Sequence, residues 1–460
     1  MPTLMSPTSS LFLVPENREQ PMHVGGLQLF VPPEGAGPDY LRGLYQEALA
    51  HPDEVSPLFR RRPYRGWRTL GQWAWLDDDD IDLEHHIRHS ALPRPGRVRE
   101  LLALASRLHS TLLDRQHPLW ETHLIEGLED GRFAVYSKMH HSLIDGVSAL
   151  RLLERTLSKD PDDRDVPMPY SDKVRRRPRP ASAGDEEPFA MRVVKGGANA
   201  VADAFGLTPR LLKLAMDSFG DGGAVMPGQA PRSMLNVAIT GSRRFAADSW
   251  DLERMRAVGK AAGATLNDVV LAMCSGALRQ YMLALDALPD APLVAMTPVS
   301  LRGEDDDDTG GVSVGAILVS LATDVEDPAE RLLAIRASSL DAKAAMAGLS
   351  QLQATALSAA MLAPLLLEQT PVSGLVRPPF NVVISNVPGP KEPLYWNGAR
   401  LDGMYPLSIP LNGQALNITV TSYAGRAQFG LTGCRRTLPH MQRLLAGLEE
   451  SLAAAEKAFL

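Results

Sequence analysis

The stretch Lys138-Met139-His140-His141-Ser142-Leu143-Ile144-Asp145-Gly146 combines a histidine pair with an Asp-Gly step three residues later. Histidine is the side chain best suited to taking a proton near neutral pH. The pair ends an alternating apolar run that starts at Phe133 and predicts a β-strand. Because successive side chains of a strand point to opposite faces, the two imidazoles are expected to diverge. One would be the chemical base, and the other would be buried in the scaffold or would hold the turn.

The residues after the pair predict an amphipathic helix over 146–157, with its leucines on one face. Asp145 would lie at the start of this helix, where a carboxylate is favoured. Gly146 has no Cβ and would leave space beside the base for a substrate chain or a close backbone. Simpler interpretations stay open: a core histidine, an Asp145 that only caps the helix, and a Gly146 that only makes a turn. A metal site is disfavoured, since no third ligand or cysteine cluster lies nearby.

Composition narrows the class of protein. The chain has 460 residues, 45% of them apolar, which suits two domains of about 200 residues each. The net charge of −7 argues against a nucleic-acid partner and against binding to anionic membranes through overall charge alone. The two cysteines, Cys274 and Cys434, are far apart, which fits a reducing cytoplasm. The N-terminus lacks signal-peptide features, and the apolar stretch at 357–367 is too short to span a bilayer.

Proline-rich, charged residues at 158–189 predict a linker. We therefore expect an N-terminal half at 1–160, a linker with bridging helices at 161–232 and a C-terminal half at 233–460. Helical and alternating patterns occur in both halves and predict a mixed α+β fold. In the C-terminal half, the pattern predicts a strand at 235–239 and a helix that opens at Asn267.

Several blocks resemble a known family. The segment from His140 to Gly146 matches the His-His-x-x-x-Asp-Gly motif of acyl-CoA-dependent acyltransferases with the chloramphenicol-acetyltransferase fold. Further blocks resemble the bacterial wax ester synthase/diacylglycerol acyltransferases, and they occur in family order over nearly the whole chain: residues 21–25, 117–121, 266–272, 298–302 and 385–390. One departure is the opening, which in the family usually reads Leu-Ser-Pro-x-Asp and here reads Met5-Ser6-Pro7-Thr8-Ser9.

The resemblance implies two chloramphenicol-acetyltransferase-like domains, with mixed sheets flanked by helices and an active-site channel at their interface. It implies transfer of a long-chain acyl group from acyl-CoA to diacylglycerol, to a long-chain alcohol, or to both. No cofactor or metal is expected beyond acyl-CoA as co-substrate. Such a protein would be cytoplasmic and would associate peripherally with the inner membrane or with lipid droplets. The sequence does not indicate an oligomeric state.

The resemblance also assigns roles to residues. His141 would be the general base, with His140 in support and Gly146 giving substrate access. Asp145 would have a structural role, paired with an arginine such as Arg302 or one of those at 60–65. Asn267 is the candidate donor to the substrate carbonyl or the tetrahedral oxyanion, with helix capping as the alternative.

The sequence leaves two alternative functions open. One is another acyltransferase with the same motif, of the condensation or polyketide-associated kind, which would take its acyl group from a carrier protein. The other is a weakly active protein that binds lipid droplets. The intact motif argues against the second alternative.

Overall fold

The computed structural model describes residues 2–144, 146–174, 225–300, 314–347 and 377–460. The strands of these ranges, in chain order, are β1 (Thr3–Leu4), β2 (His23–Val31), β3 (Arg61–Arg65), β4 (Trp73–Asp77), β5 (Ile87–Ala91), β6 (Trp120–Glu126), β7 (Phe133–His140), β8 (Arg243–Asp251), β9 (Val294–Ser300), β10 (Val314–Ser320), β11 (Val382–Val387), β12 (Tyr395–Trp396), β13 (Ala399–Leu407), β14 (Leu416–Tyr423) and β15 (Arg426–Cys434). The helices are α1 (Pro7–Leu13), α2 (Tyr40–Ala50), α3 (Leu83–His86), α4 (Val98–His109), α5 (Gly146–Thr156), α6 (Leu252–Ala262), α7 (Leu266–Leu283), α8 (Pro328–Ala347) and α9 (Arg443–Phe459).

The N-terminal half is built on a six-stranded sheet in the order β12-β13-β2-β7-β6-β5. β7 lies inside this sheet, between β2 and β6, and runs antiparallel to both. The register pairs His23 with His140, so the histidine pair lies where the strand ends. A small three-stranded sheet, β1-β4-β3, lies beside this half.

The C-terminal half is built on a second six-stranded sheet, in the order β10-β9-β11-β14-β15-β8. It is mixed, because β11 runs parallel to β9 and to β14 while the other pairs are antiparallel. The predicted α+β fold with mixed sheets in two halves is therefore confirmed.

Two strands cross between the halves. β12 and β13 come from the C-terminal part of the chain, yet β13 pairs antiparallel with β2 in the N-terminal sheet. The register shifts between Leu401 and Gly403, where a bulge bends the strand. The sequence-based division at 233 does not anticipate this crossing. The predicted linker lies partly outside the described residues, so the boundaries at 160 and 232 stay predictions.

The core of the C-terminal half surrounds α7, which is buried along most of its length. α9 packs closely on α7, because small residues stand where the helices meet. A Cβ added at Gly276 would lie 2.3 Å from Ser451 Oγ, and one added at Gly447 would lie 3.0 Å from Ala277 Cα. Within the described ranges, no single helix has the length and apolar composition to cross a membrane, although the bent pair α6 and α7, at 101°, passes that test together.

Most predicted elements of the described ranges are present, but the strand expected at 235–239 is wrong. Leu235 and Ile239 are buried, but Val237 between them is 39% exposed, so the alternating apolar pattern does not form one buried face. The segment runs as an irregular loop held by side chains. Asn236 donates to the Phe380 and Gly413 carbonyls, and the Ile239 N–H donates to a side-chain oxygen of Asn412. The apolar stretch at 357–367 lies outside the described residues, as do residues 175–224 of the segment expected to carry bridging helices.

Candidate active site

His140 is the last residue of β7, and its ring is completely buried. Its backbone N–H donates to the Leu119 carbonyl at 2.9 Å. The ring Nδ1 lies 3.1 Å from the Ser142 N–H and 2.6 Å from Ser142 Oγ. A backbone N–H can only donate, so Nδ1 is the acceptor and the ring proton is on Nε2. His140 therefore closes the turn that follows the strand.

The opposite edge of the His140 ring, at Nε2, lies next to a buried carboxylate. Glu16 Oε1 lies 3.2 Å from His140 Nε2, although the ring N–H is not aimed directly at the oxygen. Glu16 also accepts the Met22 N–H at 3.0 Å and is held by Arg115 at 2.9 Å. Burial raises the pKa of Glu16, but its contacts with His140, the Met22 N–H and Arg115 lower it more, so that this pKa lies below the ordinary glutamate value. The carboxylate is thus ionised at neutral pH.

The side chain of His141 lies in a different environment from that of His140. Its backbone N–H donates to the Met22 carbonyl at 2.9 Å, and its side chain is only partly buried. The imidazole stacks on Phe12, with ring centroids 4.2 Å apart and planes inclined by 16°. The two histidine rings therefore diverge, as the strand pattern predicts: one is enclosed with Glu16, and the other lies under an aromatic ring.

Phe12 lies in α1, which begins at a well-defined cap. Ser6 Oγ accepts the Ser9 N–H at 3.1 Å, and Pro7 is the first helical residue, a position that suits proline. Ser9 stands where the family resemblance led us to expect Asp. Its hydroxyl accepts a hydrogen bond from Ser6 Oγ at 2.9 Å. The departure from the family opening thus falls in the cap of the helix that carries Phe12.

The segment from Glu16 to His23 ties the histidine turn to the C-terminal half. Arg243 donates to the Glu19 carbonyl at 2.7 Å, and the Asn412 N–H donates to Gln20 Oε1 at 2.9 Å. The same segment contacts both members of the histidine pair, through Glu16 and through Met22. His141 therefore lies next to the junction of the two halves, where the family resemblance implies a channel.

A buried ion pair supports β7 on the face that carries His140. Lys138 Nζ donates to the Leu108 and Thr111 carbonyls near the end of α4 and lies 3.3 Å from Glu121. Burial raises the pKa of Glu121, but contact with His123 and the charge of Lys138 lower it to about 2. These residues stabilise the strand rather than reach the partly buried ring of His141.

The structure describes only some of the remaining motif residues. Asp145 and Arg302 lie outside the described residues, so their pairing stays a prediction. Gly146 is exposed at the start of α5, and a Cβ added there would meet no atom within 4 Å. Its role in substrate access stays a prediction. Of the arginines at 60–65, Arg60 donates to the Val55 and Pro52 carbonyls, and Arg61 lies 3.9 Å from Asp77.

Asn267 is partly buried in the first turn of α7. The interpretation that it caps this helix is wrong, because the cap is Thr265. The Asp268 N–H donates to Thr265 Oγ1 at 3.2 Å, and the Asp268 carboxylate accepts the Thr265 N–H at 2.9 Å in return. Asn267 is therefore not needed for the cap, and its expected role as a donor stays a prediction.

The sequence interpretation missed two residues of this site, Glu16 and Phe12. Glu16 lies in a loop without a periodic pattern, and it is 124 positions away from His140, so local spacing carries no signal for it. Phe12 lies in a short apolar run that predicts only burial. Among the described residues, no three His, Cys, Asp or Glu side chains come together as metal ligands.

Two mixed sheets with a histidine turn at their junction define an acyltransferase of the chloramphenicol-acetyltransferase-like fold. The wax ester synthase/diacylglycerol acyltransferase catalytic domain profile matches residues 5–270, and the C-terminal domain profile of the same family matches residues 311–456. The chain belongs to this family and is an O-acyltransferase.

Individual relatives agree over the full length. A probable diacylglycerol O-acyltransferase of Mycobacterium tuberculosis is 54% identical and is matched over 99% of both chains. The O-acyltransferase WSD of Acinetobacter baylyi is 43% identical, over 98% of this chain and 96% of that protein. The solved wax ester synthase/diacylglycerol acyltransferase of Marinobacter aquaeolei is 45% identical, with a TM-score of 0.78 over 99% of both chains.

A peptide-synthetase condensation domain shares the fold alone. The first condensation domain of the CDA synthetase has a TM-score of 0.56 and 16% identity, over 100% of this chain and 97% of that one. The likeness agrees with the expected chloramphenicol-acetyltransferase-like fold.

Proposed function

We propose that this protein transfers a long-chain acyl group from acyl-CoA to diacylglycerol, to a long-chain alcohol, or to both, with His141 as the general base. The observation that carries the proposal is the separation of the two imidazoles. His140 is enclosed with Glu16 and Ser142, whereas His141 is partly buried beside the junction of the halves. The names of the relatives in the three bacteria support the substrate classes.

In the proposed reaction, the neutral imidazole of His141 accepts the hydroxyl proton of the acceptor as its oxygen attacks the thioester carbon. The tetrahedral intermediate then collapses, the carbon–sulfur bond breaks, and the imidazolium returns its proton to the coenzyme A sulfur. General base catalysis of this kind contributes about 10²–10⁴-fold. Both substrates are bound together, and their alignment supplies the remainder of the rate enhancement.

His140 and Glu16 act as positioning residues in this scheme. The His140 ring ties Ser142 to the strand end, and Glu16 holds both that ring and the Met22 N–H. The Met22 carbonyl in turn accepts the His141 N–H. The backbone of His141 is thereby fixed on both sides, which limits the positions that its ring can adopt.

Asn267 is the proposed donor to the oxyanion of the tetrahedral intermediate. A donor of this kind is worth about 3–4 kcal/mol of transition-state stabilisation where one has been tested in other enzymes. The proposal gains support because Thr265, not Asn267, caps α7, which leaves the Asn267 side chain without a role in the helix start.

A covalent serine route is disfavoured. The sequence contains Gly311-Val312-Ser313-Val314-Gly315, which has the spacing of a hydrolase nucleophile elbow. Such an elbow joins the end of a strand to the start of a helix. Here the pattern runs into β10, which begins at Val314, so its context is that of a strand start. Direct transfer between the two bound substrates is therefore preferred.

Asp145 is proposed as a structural residue paired with an arginine. Breaking a buried pair of this kind costs about 3–5 kcal/mol, so Asp145→Ala would mainly reduce folding yield. We also propose that the protein is cytoplasmic and binds peripherally to the inner membrane or to lipid droplets, since its acceptors are lipids.

The test is release of free thiol from palmitoyl-CoA by the purified chain with a panel of acceptors. Diacylglycerol, hexadecanol and water are compared, and the ester products are identified by mass spectrometry. Ester formation with either lipid supports the proposal. Transfer only from an acylated carrier protein would favour the condensation-type alternative, and lipid binding without transfer from any acyl-CoA would favour the droplet-binding alternative.

A further inference from the structure

The hairpin of β3 and β4 projects a loop of residues 65–72, named here the Trp67 loop. Its two large apolar side chains are almost fully exposed: Trp67 at 80% and Leu70 at 87%. These are the two most exposed large apolar side chains of the described residues. Single exposed apolar residues are common, but two together on a protruding turn call for an explanation.

The backbone of the loop makes the leucine more unusual. Leu70 has a φ of 48° and lies in the left-handed region, which favours glycine or asparagine. A leucine there is conformationally strained, and its exposed side chain does not offset that strain by packing. The folded chain alone gives no reason for a leucine at this position.

The loop is nevertheless rigid. Thr69 is buried, its hydroxyl donates to the Gln72 carbonyl at 2.7 Å, and its hydroxyl oxygen accepts the Gly66 N–H at 3.3 Å. The Gly71 N–H donates to the Gly66 carbonyl at 3.0 Å, which closes the turn. The backbone that carries Trp67 and Leu70 is therefore held by hydrogen bonds, and little backbone entropy would be lost on binding.

The charged residues of the Trp67 loop are all basic. It contains two arginines, Arg65 and Arg68, and no acidic residue, although the whole chain carries −7. The Arg68 guanidinium lies 5.4 Å from the Trp67 ring centroid. The acidic run at 77–80 begins at the opposite end of β4, about 13 Å away at the rise of a strand. The exposed apolar pair thus lies at the basic end of the hairpin.

The base of the hairpin is connected to the candidate active site. The Trp73 ring lies near two guanidinium groups, with its centroid 5.6 Å from that of Arg65 and 5.4 Å from that of Arg115. Arg115 donates to Glu16, which contacts His140. The Trp67 loop therefore projects from the part of the molecule that carries the histidine turn.

We propose that the Trp67 loop inserts into the headgroup region of an anionic phospholipid bilayer and orients the enzyme on that surface. The inference deepens the proposed function and rests on its lipid substrates. An indole, an aliphatic side chain and neighbouring arginines match an interface that is apolar inside and negatively charged outside. A protein partner is disfavoured, because two side chains on a convex turn cover far less than the roughly 800 Å² that each partner of a standard interface buries.

Vesicle co-sedimentation of the full chain tests the proposal. The vesicles contain either phosphatidylcholine alone or phosphatidylcholine with phosphatidylglycerol. Wild type is compared with the double variant Trp67→Ser/Leu70→Asn, in which asparagine suits the left-handed backbone. Loss of the apolar pair should raise the lipid concentration for half-maximal binding at least about tenfold. Arg68→Gln should raise it about fivefold, and only on vesicles with phosphatidylglycerol.

The matched control is Leu283→Ser/Leu340→Ser, which removes two half-exposed leucines from α7 and α8 and should leave vesicle binding unchanged. Equal loss in this control would overturn the proposal, as would unchanged vesicle binding in the Trp67 loop variants. Loop variants that bind vesicles normally but show a raised KM for acyl-CoA would instead assign the arginines to the coenzyme phosphates.

Thiol release with a dispersed short-chain alcohol separates this proposal from the proposed function. The Trp67 loop variants should retain wild-type activity on that acceptor, because the loop contacts none of the reacting groups. A wild-type protein that binds vesicles through the loop but transfers no acyl group would overturn the proposed function and leave the lipid-binding surface supported.

Discussion

Glu16 Oε1 and His140 Nε2 lie 3.2 Å apart, and both side chains are buried. A buried carboxylate needs partners to remain charged, and Glu16 has three: the His140 ring, the Met22 N–H and Arg115. The contact links the N-terminal segment to the end of β7. It is the reason why we assign the first histidine of the pair a supporting role in the proposed mechanism.

Glu16→Gln should destabilise the fold at neutral pH by about 1.5–3 kcal/mol, the usual worth of hydrogen bonds to a charged group. Because the folded-state pKa of Glu16 is lowered from its ordinary value near 4.5, the carboxylate stabilises the fold above that pH, and the contribution fades as pH falls below it. Urea denaturation of both proteins at pH 7 and pH 3.5 measures the difference. A loss of equal size at both values would show that the charge of Glu16 does not matter.

Ser142→Ala should lower stability by about 0.5–1.5 kcal/mol, because Nδ1 of His140 loses its hydroxyl partner while it keeps the Ser142 N–H. We also expect a reduced kcat, since the turn that carries His141 loosens. Ser137→Ala is the matched control, because it removes a comparable hydrogen bond between Ser137 of β7 and Thr122 of β6. A larger loss of kcat in the control would contradict the role of the turn.

Phe12→Ala should reduce kcat up to about tenfold, since a stacked aromatic pair is worth roughly 0.5–1.5 kcal/mol. We expect the change in kcat because the Phe12 ring, whose centroid lies 4.2 Å from that of the His141 imidazole, would orient that imidazole. Phe12→Tyr keeps the stacked ring and should retain activity. If the two variants have the same kcat, the stacking does not position His141.

Thr265→Ala and Asn267→Ala separate capping from catalysis. Thr265→Ala removes the cap of α7 and should cost about 1 kcal/mol of stability with activity preserved. Asn267→Ala should shift the melting temperature by less than about 2 °C, because the free energy of unfolding should change by well below 1 kcal/mol. It should reduce kcat about 10²–10³-fold. An active Asn267→Ala variant would remove this residue from the mechanism.

Much of the architecture follows from local patterns in the sequence. The alternation that ends at His140 predicts β7, and Gly263, with a φ of 62°, ends α6 as a glycine in that position should. The capping of α7 was also readable. Thr265 followed three positions later by Asp268 resembles a capping box, and this pattern favours Thr265 over Asn267 as the cap.

Other features depend on contacts that no local pattern encodes. β13 alternates like any other strand, so its pattern does not reveal that it pairs with β2 of the other half. The position of Glu16 next to His140 requires the fold of the whole N-terminal half. The apolar alternation from Leu235 to Ile239 predicts a strand, yet Val237 is exposed and the segment is a loop held by Asn236.

The central claim concerns the imidazole of His141, and the most direct test is thiol release from palmitoyl-CoA by His141→Ala with hexadecanol or diacylglycerol. We predict a loss of kcat of about 10²-fold or more with an unchanged melting temperature. His89→Ala, which removes a partly exposed histidine near Glu126, is the control and should keep wild-type activity. A folded His141→Ala protein with a kcat within a few fold of wild type would contradict the account.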